Sequence, residues 1–276
     1  MSNNIEFSAQ EILNKVYDPV GGVLRMSTST FASGILTSDT TNVSNNDTVT
    51  LGSVTYTFKT ALTEAKASGT LTSDATAPSD GDTVTLGSTV YTFKTTLSTG
   101  PTVPFEVLIG ASAAIALDNL KSAVNLTAGI GTTYSTGTTI HPTVDATTNT
   151  DTTQLFVAKA VGTAGNIVFT ENGTHTTADG SGNLTGGVNA VVNQILIGGT
   201  AAASLDNLEA TVNALGTEGT TYSTGTVVHP TVYATDNTDT TQGFKARTAG
   251  TSGNSIATTE TSTHLAFGDV TLVGGV

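Results

Sequence analysis

The chain of 276 residues contains no cysteine and no tryptophan, and only 9 of its residues are lysine or arginine. Without cysteine there is no disulfide, no thiolate metal site and no cysteine nucleophile, so stability rests on packing. With 22 acidic residues against 9 basic ones the net charge is −13. That charge repels a polyanion over most of the surface, arguing against nucleic-acid binding, and suits solubility at high local concentration. No apolar run approaches the roughly 20 residues that cross a bilayer, so no membrane partner is expected. The opening MSNNIEFSAQ lacks the basic start and apolar core of a secretory signal, which predicts synthesis in the cytoplasm without export.

What the chain has instead is threonine, 59 residues of it, while charged residues make up only 11%. Ordinary domains carry roughly 25% charge, so threonine supplies most of the polar surface here. Its branched Cβ suits a pleated strand, and the composition predicts a β-rich protein.

The chain repeats itself. Residues 33 to 62, SGILTSDTTNVSNNDTVTLGSVTYTFKTAL, match 68 to 97, SGTLTSDATAPSDGDTVTLGSTVYTFKTTL, without a gap. Residues 106 to 188, beginning EVLIGASAAIALDNLKSAVN, match 194 to 276, beginning QILIGGTAAASLDNLEATVN. We name the shorter unit A and the longer one B; the order is A, A, B, B, which excludes a simple solenoid.

Within A, Val84 and Leu86 alternate with threonines, Gly87-Ser88 makes a two-residue turn, and Tyr91 and Phe93 resume the apolar face. Glycine first in the turn suits type II′, which sets Leu86 opposite Thr89 and Val84 opposite Tyr91. The other copy pairs Leu51 with Val54 and Val49 with Tyr56 in the same way. Two strands alone are marginal in water, so each hairpin needs a third strand and a covering helix.

Unit B supplies both. Val107-Leu108-Ile109 reads as a buried strand, after which Ser112 caps a helix with the apolar stripe Ala113, Leu117, Leu120 and Val124. In the second copy Thr200 is the cap, and Ala201, Leu205, Leu208 and Val212 form the stripe. Strands are expected around Leu155 to Ala160 and Ile167 to Thr170, separated by the turn signal GTAGN. A plus B makes an α+β, β-rich domain of one sheet and one helix. Two such homologous domains are expected.

Only the inner A and B, within residues 68–188, are contiguous. The economical reading joins 33–62 with 194–276 as a discontinuous outer domain and places the inner domain in its loop. Strand 54 to 59 then lies beside 194 to 198, and 89 to 94 beside 106 to 110. Exchange of hairpins between subunits and an irregular tandem array are the alternatives.

Residues 1–32 stand outside the repeats. SAQE at 8 to 11 is a capping box, and Ile12, Leu13, Val16 and Tyr17 form a short helical stripe ended by Pro19 and Gly21-Gly22. Val23, Leu24 and Met26 suggest a strand. Two helical turns are not stable alone, so this segment packs on its own domain or docks on another protein as an anchor. Ile5, Phe7, Ile12, Leu13, Val16, Tyr17, Val23 and Leu24 are its candidate anchoring residues.

Candidate chemistry is sparse. Each B carries two histidines, His141 and His175 in one copy, His229 and His264 in the other. The carboxylate beside His141, Asp145, becomes Tyr233 in the second copy, so these read as turn histidines and no metal is expected. Asp118 and Asp206 recur in LDNL with Asn119 and Asn207 off the apolar stripe, which reads as a solvated helix face and not a hydrolytic pair. DNTDTTQ at 236 to 242 lacks the glycine and terminal glutamate of a calcium loop, and GSGNLTGG at 180 to 187 precedes no phosphate-binding helix. No catalytic residue and no cofactor are expected.

The string DTVTLGSTVYTFKT followed by EVLIGASAA, LDNLKSAVN, GTTYSTGT, HPTV, GTAGN and LTGGV resembles a repeat module found in virion proteins of tailed bacteriophages. TVTLGSVTYTFKTALTEA joined to NQILIGGTAAASLDNL resembles one uninterrupted member. FSAQEILNKVYDPVGGVLRM resembles a short N-terminal segment of phage structural proteins. The resemblance implies a non-enzymatic virion component in several copies: a head-decoration, neck or tail-associated protein anchored to other virion proteins by its N-terminal segment. An adhesin that binds host glycan, or a tail-fibre receptor-binding module, is the alternative, although the 5% aromatic content gives it little to stack sugars on.

Overall fold

The computed structural model describes residues 15–17, 24–26, 29–99, 103–180 and 182–276. The chain divides into two compact units: Met1–Leu62 with Val191–Val276, here the discontinuous unit, and Thr63–Ala190, the continuous unit.

In the continuous unit the hairpin consists of β7 (Thr83–Leu86) and β8 (Thr89–Lys94), with Val84 opposite Tyr91 and Leu86 opposite Thr89. Gly87 has φ +60° while Ser88 stays out of the left-handed region, as a type II′ turn requires. Strand β9 (Glu106–Leu108) runs parallel to β8, placing Val107 beside Phe93. On the other edge β12 (Phe169–Glu171) is antiparallel to β7. This gives the order β12-β7-β8-β9.

A second sheet completes the unit. It contains β10 (Val144–Asn149), β11 (Thr153–Val161), β6 (Lys66–Ser73) and β13 (Thr176–Ala178) in the order β10-β11-β6-β13. Helix α1 (Ala113–Asn125) packs on β9 and β10, capped by the Ser112 Oγ, which accepts from the Ile115 N–H at 3.3 Å. The core gathers Leu71, Val84, Tyr91, Phe93, Leu117 and Phe156 from all three parts.

The discontinuous unit repeats this plan. Its hairpin, β4 (Thr48–Leu51) and β5 (Val54–Lys59), pairs Val49 with Tyr56. Strand β14 (Gln194–Leu196) lies parallel to β5 with Ile195 beside Phe58, and β17 (Thr258–Glu260) closes the order β14-β5-β4-β17. The second sheet is β15-β16-β3-β18, from β15 (Val232–Asn237), β16 (Thr241–Ala249), β3 (Phe31–Ser38) and β18 (Leu265–Phe267). Helix α2 (Ala201–Asn213) is capped by Thr200. Both parallel pairings are those that the repeat spacing predicts.

Two expectations are corrected. Each unit has two four-stranded sheets and one helix where one sheet was expected, because β3 and β6 were not read as strands. Their sequences, FASGILTS and KASGTLTS, resemble linkers, yet Ala67, Leu71 and Ser73 alternate inward from β6. Gly69 shares that face because a Cβ there would come within 2.8 Å of both Leu184 Cδ2 and Phe169 Cδ1. The second correction concerns the N-terminal segment. The expected helix over Ser8 to Tyr17 falls mostly outside the described residues, and where they resume, β1 (Lys15–Tyr17) is a strand antiparallel to β2 (Leu24–Met26). Valine and tyrosine at 16 and 17 favour extended backbone over helix.

Sheet edges are short or irregular. In the four-stranded sheets six edge strands have three residues each, and β10 and β15 carry register shifts against their neighbours. Such edges give little template for another chain's backbone.

Phe58 and Phe93 are the hairpin side chains that meet the parallel strand, at 0% and 1% exposure. Phe58→Ala is expected to destabilise the discontinuous unit by about 3–5 kcal/mol, and Phe93→Ala the continuous one by the same amount. Amide hydrogen exchange resolved by residue checks this; equal loss of protection in both units from either change would contradict two separate cores.

Candidate functional site

Of the candidate anchoring residues, Ile5, Phe7, Ile12, Leu13 and Val23 lie outside the described residues. Val16 and Tyr17 fall on β1 and Leu24 on β2, in register Val16 to Arg25 and Tyr17 to Leu24.

The repeated histidines of HPTV are not turn residues in solvent. His141 is 2% exposed and His229 1%. The Nδ1 of His141 accepts from the backbone N–H of Val144 at 3.0 Å and of Thr143 at 3.3 Å, so the ring proton sits on Nε2, which donates to the carbonyl of Leu86 at 3.1 Å. Leu86 ends β7 in the hairpin sheet and Val144 begins β10 in the second sheet. One imidazole therefore ties the two sheets together.

His229 repeats the arrangement between Leu51 and Val232, with both bonds at 3.0 Å. The carbonyl of His141 in turn accepts from Lys159 Nζ at 2.6 Å, and that of His229 from Arg247 Nε at 2.8 Å. Burial pushes both histidines below their ordinary value, against the opposing pull of the carbonyl bond. With both ring nitrogens engaged, neither offers a lone pair to a metal. Among the described residues no three His, Cys, Asp or Glu side chains converge on a cation position.

The outer histidines are surface latches. His175 Nδ1 lies 3.0 Å from Asp74, and His264 Nδ1 3.0 Å from Asp39. These bonds, helped by the Thr76 and Thr41 amides, hold the two carboxyls below the usual carboxylate range.

Asp118 and Asp206 are exposed and accept from Asn149 and Asn237 at 2.6 and 2.9 Å. Asn119 and Asn207, however, do not face solvent freely. Each donates to a strand carbonyl at 2.8 Å, Leu108 of β9 or Leu196 of β14, fastening the helix to the parallel strand. Their short amides reach the strand from a position beside the apolar stripe.

Sequence reasoning passed over Asn125 and Asn213, which mimic a strand neighbour. Asn125 donates to the carbonyl of Ala146 at 2.7 Å and accepts from its N–H at 3.0 Å; Asn213 does the same with Ala234. Their recurrence at one position in both copies was the available signal. In the DNTDTTQ loop Thr238 and Thr241 bond hydroxyl to hydroxyl at 2.7 Å, as Thr150 and Thr153 do in the other unit. Threonine closes this turn in both copies.

Tyr56 and Tyr91 are fully buried, and their hydroxyls have no hydrogen-bond partner among the described residues. Burial drives both phenols above their ordinary value. Comparison with family models, curated proteins and solved structures finds no match.

Two expectations can be measured. Because folded His141 and His229 resist protonation, the unfolded chain binds more protons below the ordinary value of 6.5. Their stabilising contribution is complete above that pH and is lost as the pH falls from there through the folded-state value. The carboxyls of Asp39 and Asp74 are held below 3.8 and act only at lower pH. Urea unfolding at about pH 7.5 and about pH 5.5 should show a drop that shrinks when His141 and His229 are replaced by alanine. Separately, Tyr91→Phe and Tyr56→Phe remove an unsatisfied buried hydroxyl and should hold or raise stability, by up to about 1 kcal/mol. A clear loss in thermal unfolding would show that the hydroxyl is hydrogen-bonded in solution.

Proposed function

We propose that this chain is a non-enzymatic structural component of a tailed-phage particle, a head-decoration, neck or tail-associated protein. It is held on other virion proteins by its N-terminal segment and displays two β-rich modules outward. The observation that carries this reading is where the recurring polar side chains are spent. His141 and His229, Asn119 and Asn207, and Asn125 and Asn213 all bond to backbone groups of their own unit. These duplicated polar residues thus serve rigidity, which suits a displayed module. The acidic surface favours solubility at high copy number and disfavours a nucleic-acid partner.

In the same reading the discontinuous unit is the host module. The continuous unit is a second copy received into its loop between Leu62 and Val191, and copies of the chain assemble as a homo-oligomer on the particle. Support for the insertion comes from β14, which finds its parallel partner in β5 across the whole continuous unit.

Removing residues 1–28 tests the anchor. Thr30 must stay, because its N–H donates to the carbonyl of Val276 at 3.0 Å and leads into β3. The truncated protein should keep its thermal unfolding profile and fail to join particles assembled in its presence. Incorporation at the level of the full chain would overturn the role given to this segment.

A further inference from the structure

The two units share one scaffold, so a sheet face on which they differ reports something other than the needs of the fold. The outward face of β15-β16-β3-β18 is such a face. Phe31 and Ile35 point outward from β3 at 42% and 56% exposure, and Val273, bridged to Ser33, is 43% exposed. At the matching positions the continuous unit carries Lys66, Thr70 and Thr185.

Charge changes in step. In the continuous unit Lys159 lies 3.7 Å from Asp145, a balanced pair. In the discontinuous unit Tyr233 replaces that aspartate, and Arg247 and Lys245 stand exposed on β16 with no carboxylate partner among the described residues. The outward positions of β3 from Phe31 to Thr37 and of β16 from Thr241 to Ala249 include no acidic residue. On these two strands the formal charge is positive, within a chain of net charge −13.

The face also has a depression. Gly243 stands where the continuous unit has Leu155, and it pairs with Ile35. Over it lies a groove of about 280 Å³ walled by Ile35, Thr235 and Lys245. The groove is apolar on one side and cationic on the other.

We infer that this face docks an acidic polypeptide segment, seating one aliphatic side chain on Gly243 against Ile35 and setting its carboxylates toward Lys245 and Arg247. Charge complementarity selects the occupant. Face-to-face pairing with a second copy would set this cationic surface against another of the same sign, and two cations are too few to hold a phosphate backbone against the charge of the whole chain. This surface is separate from the N-terminal segment and does not depend on its role.

A random 12-residue peptide library selected on the full-length protein tests the proposal. The control is the triple variant Phe31→Lys, Ile35→Thr, Val273→Thr, which writes the continuous unit's own residues into a scaffold that already tolerates them. Enriched peptides should combine Asp or Glu with Leu, Ile or Val. They should bind at least ~10-fold more weakly to the triple variant and to Lys245→Glu, and weaken with added salt. Enrichment of basic peptides, equal binding to the triple variant, or no enrichment would overturn the proposal. So would self-association in sedimentation that the triple variant abolishes, which would make a second copy the occupant. Enrichment seen only after removal of residues 1–28 would assign the face to the chain's own N-terminal segment and equally overturn it.

Discussion

A two-stranded ribbon has one apolar face and no means of covering it. Tyr56 and Phe58 on one hairpin, and Tyr91 and Phe93 on the other, reach near-zero exposure only because a parallel third strand and a second sheet close over them. Everything else follows from that requirement. The helix exists to carry the chain from the parallel strand across to the second sheet, and its asparagines fasten both ends of that path. Histidine then bolts sheet to sheet where a hairpin carbonyl faces the start of a strand.

Having the module twice in one chain provides an internal comparison. Hairpin register, helix caps, histidine bonds and asparagine bonds are the same in both units, while parts of the core are rearranged. Phe169 on β12 meets Phe156 at 5.4 Å between ring centroids. In the other unit Thr258 takes the place of Phe169, and Phe267 on β18, where the continuous unit has Ala178, meets Phe244 at 5.9 Å. One aromatic pair is thus supplied from opposite sheets, which conserves volume while changing the surface above it.

Legibility in the sequence followed physical type. Alternation of Val84, Leu86, Tyr91 and Phe93 exposed the hairpin and its register, because period two and a glycine turn leave few alternatives. Ser112 and Thr200 exposed the helix starts. Strands β3 and β6 stayed hidden because serine, glycine and threonine occupy positions whose packing is provided by side chains from elsewhere, Leu184 and Phe169 over Gly69. The histidines were legible as a recurrence but not as buried, since HPTV reads as a turn and its partner carbonyls lie 55 and 178 residues away. Asn119 reads as solvated because a helical wheel places it beside the stripe without saying that a strand edge lies within reach.

The parallel pairing of β5 with β14 also sets a clock. During synthesis β9 emerges roughly 14 residues after β8, whereas β14 emerges roughly 140 residues after β5, a difference of several seconds or more at typical elongation rates. Closing the longer loop costs about 2 kcal/mol more, so β9 joins β8 well before the other hairpin can be completed. The first hairpin therefore waits, with Tyr56 and Phe58 uncovered, while a nearly identical hairpin is finished ahead of it. Correct assembly depends on proximity along the chain, since the two apolar faces are too alike to discriminate by fit.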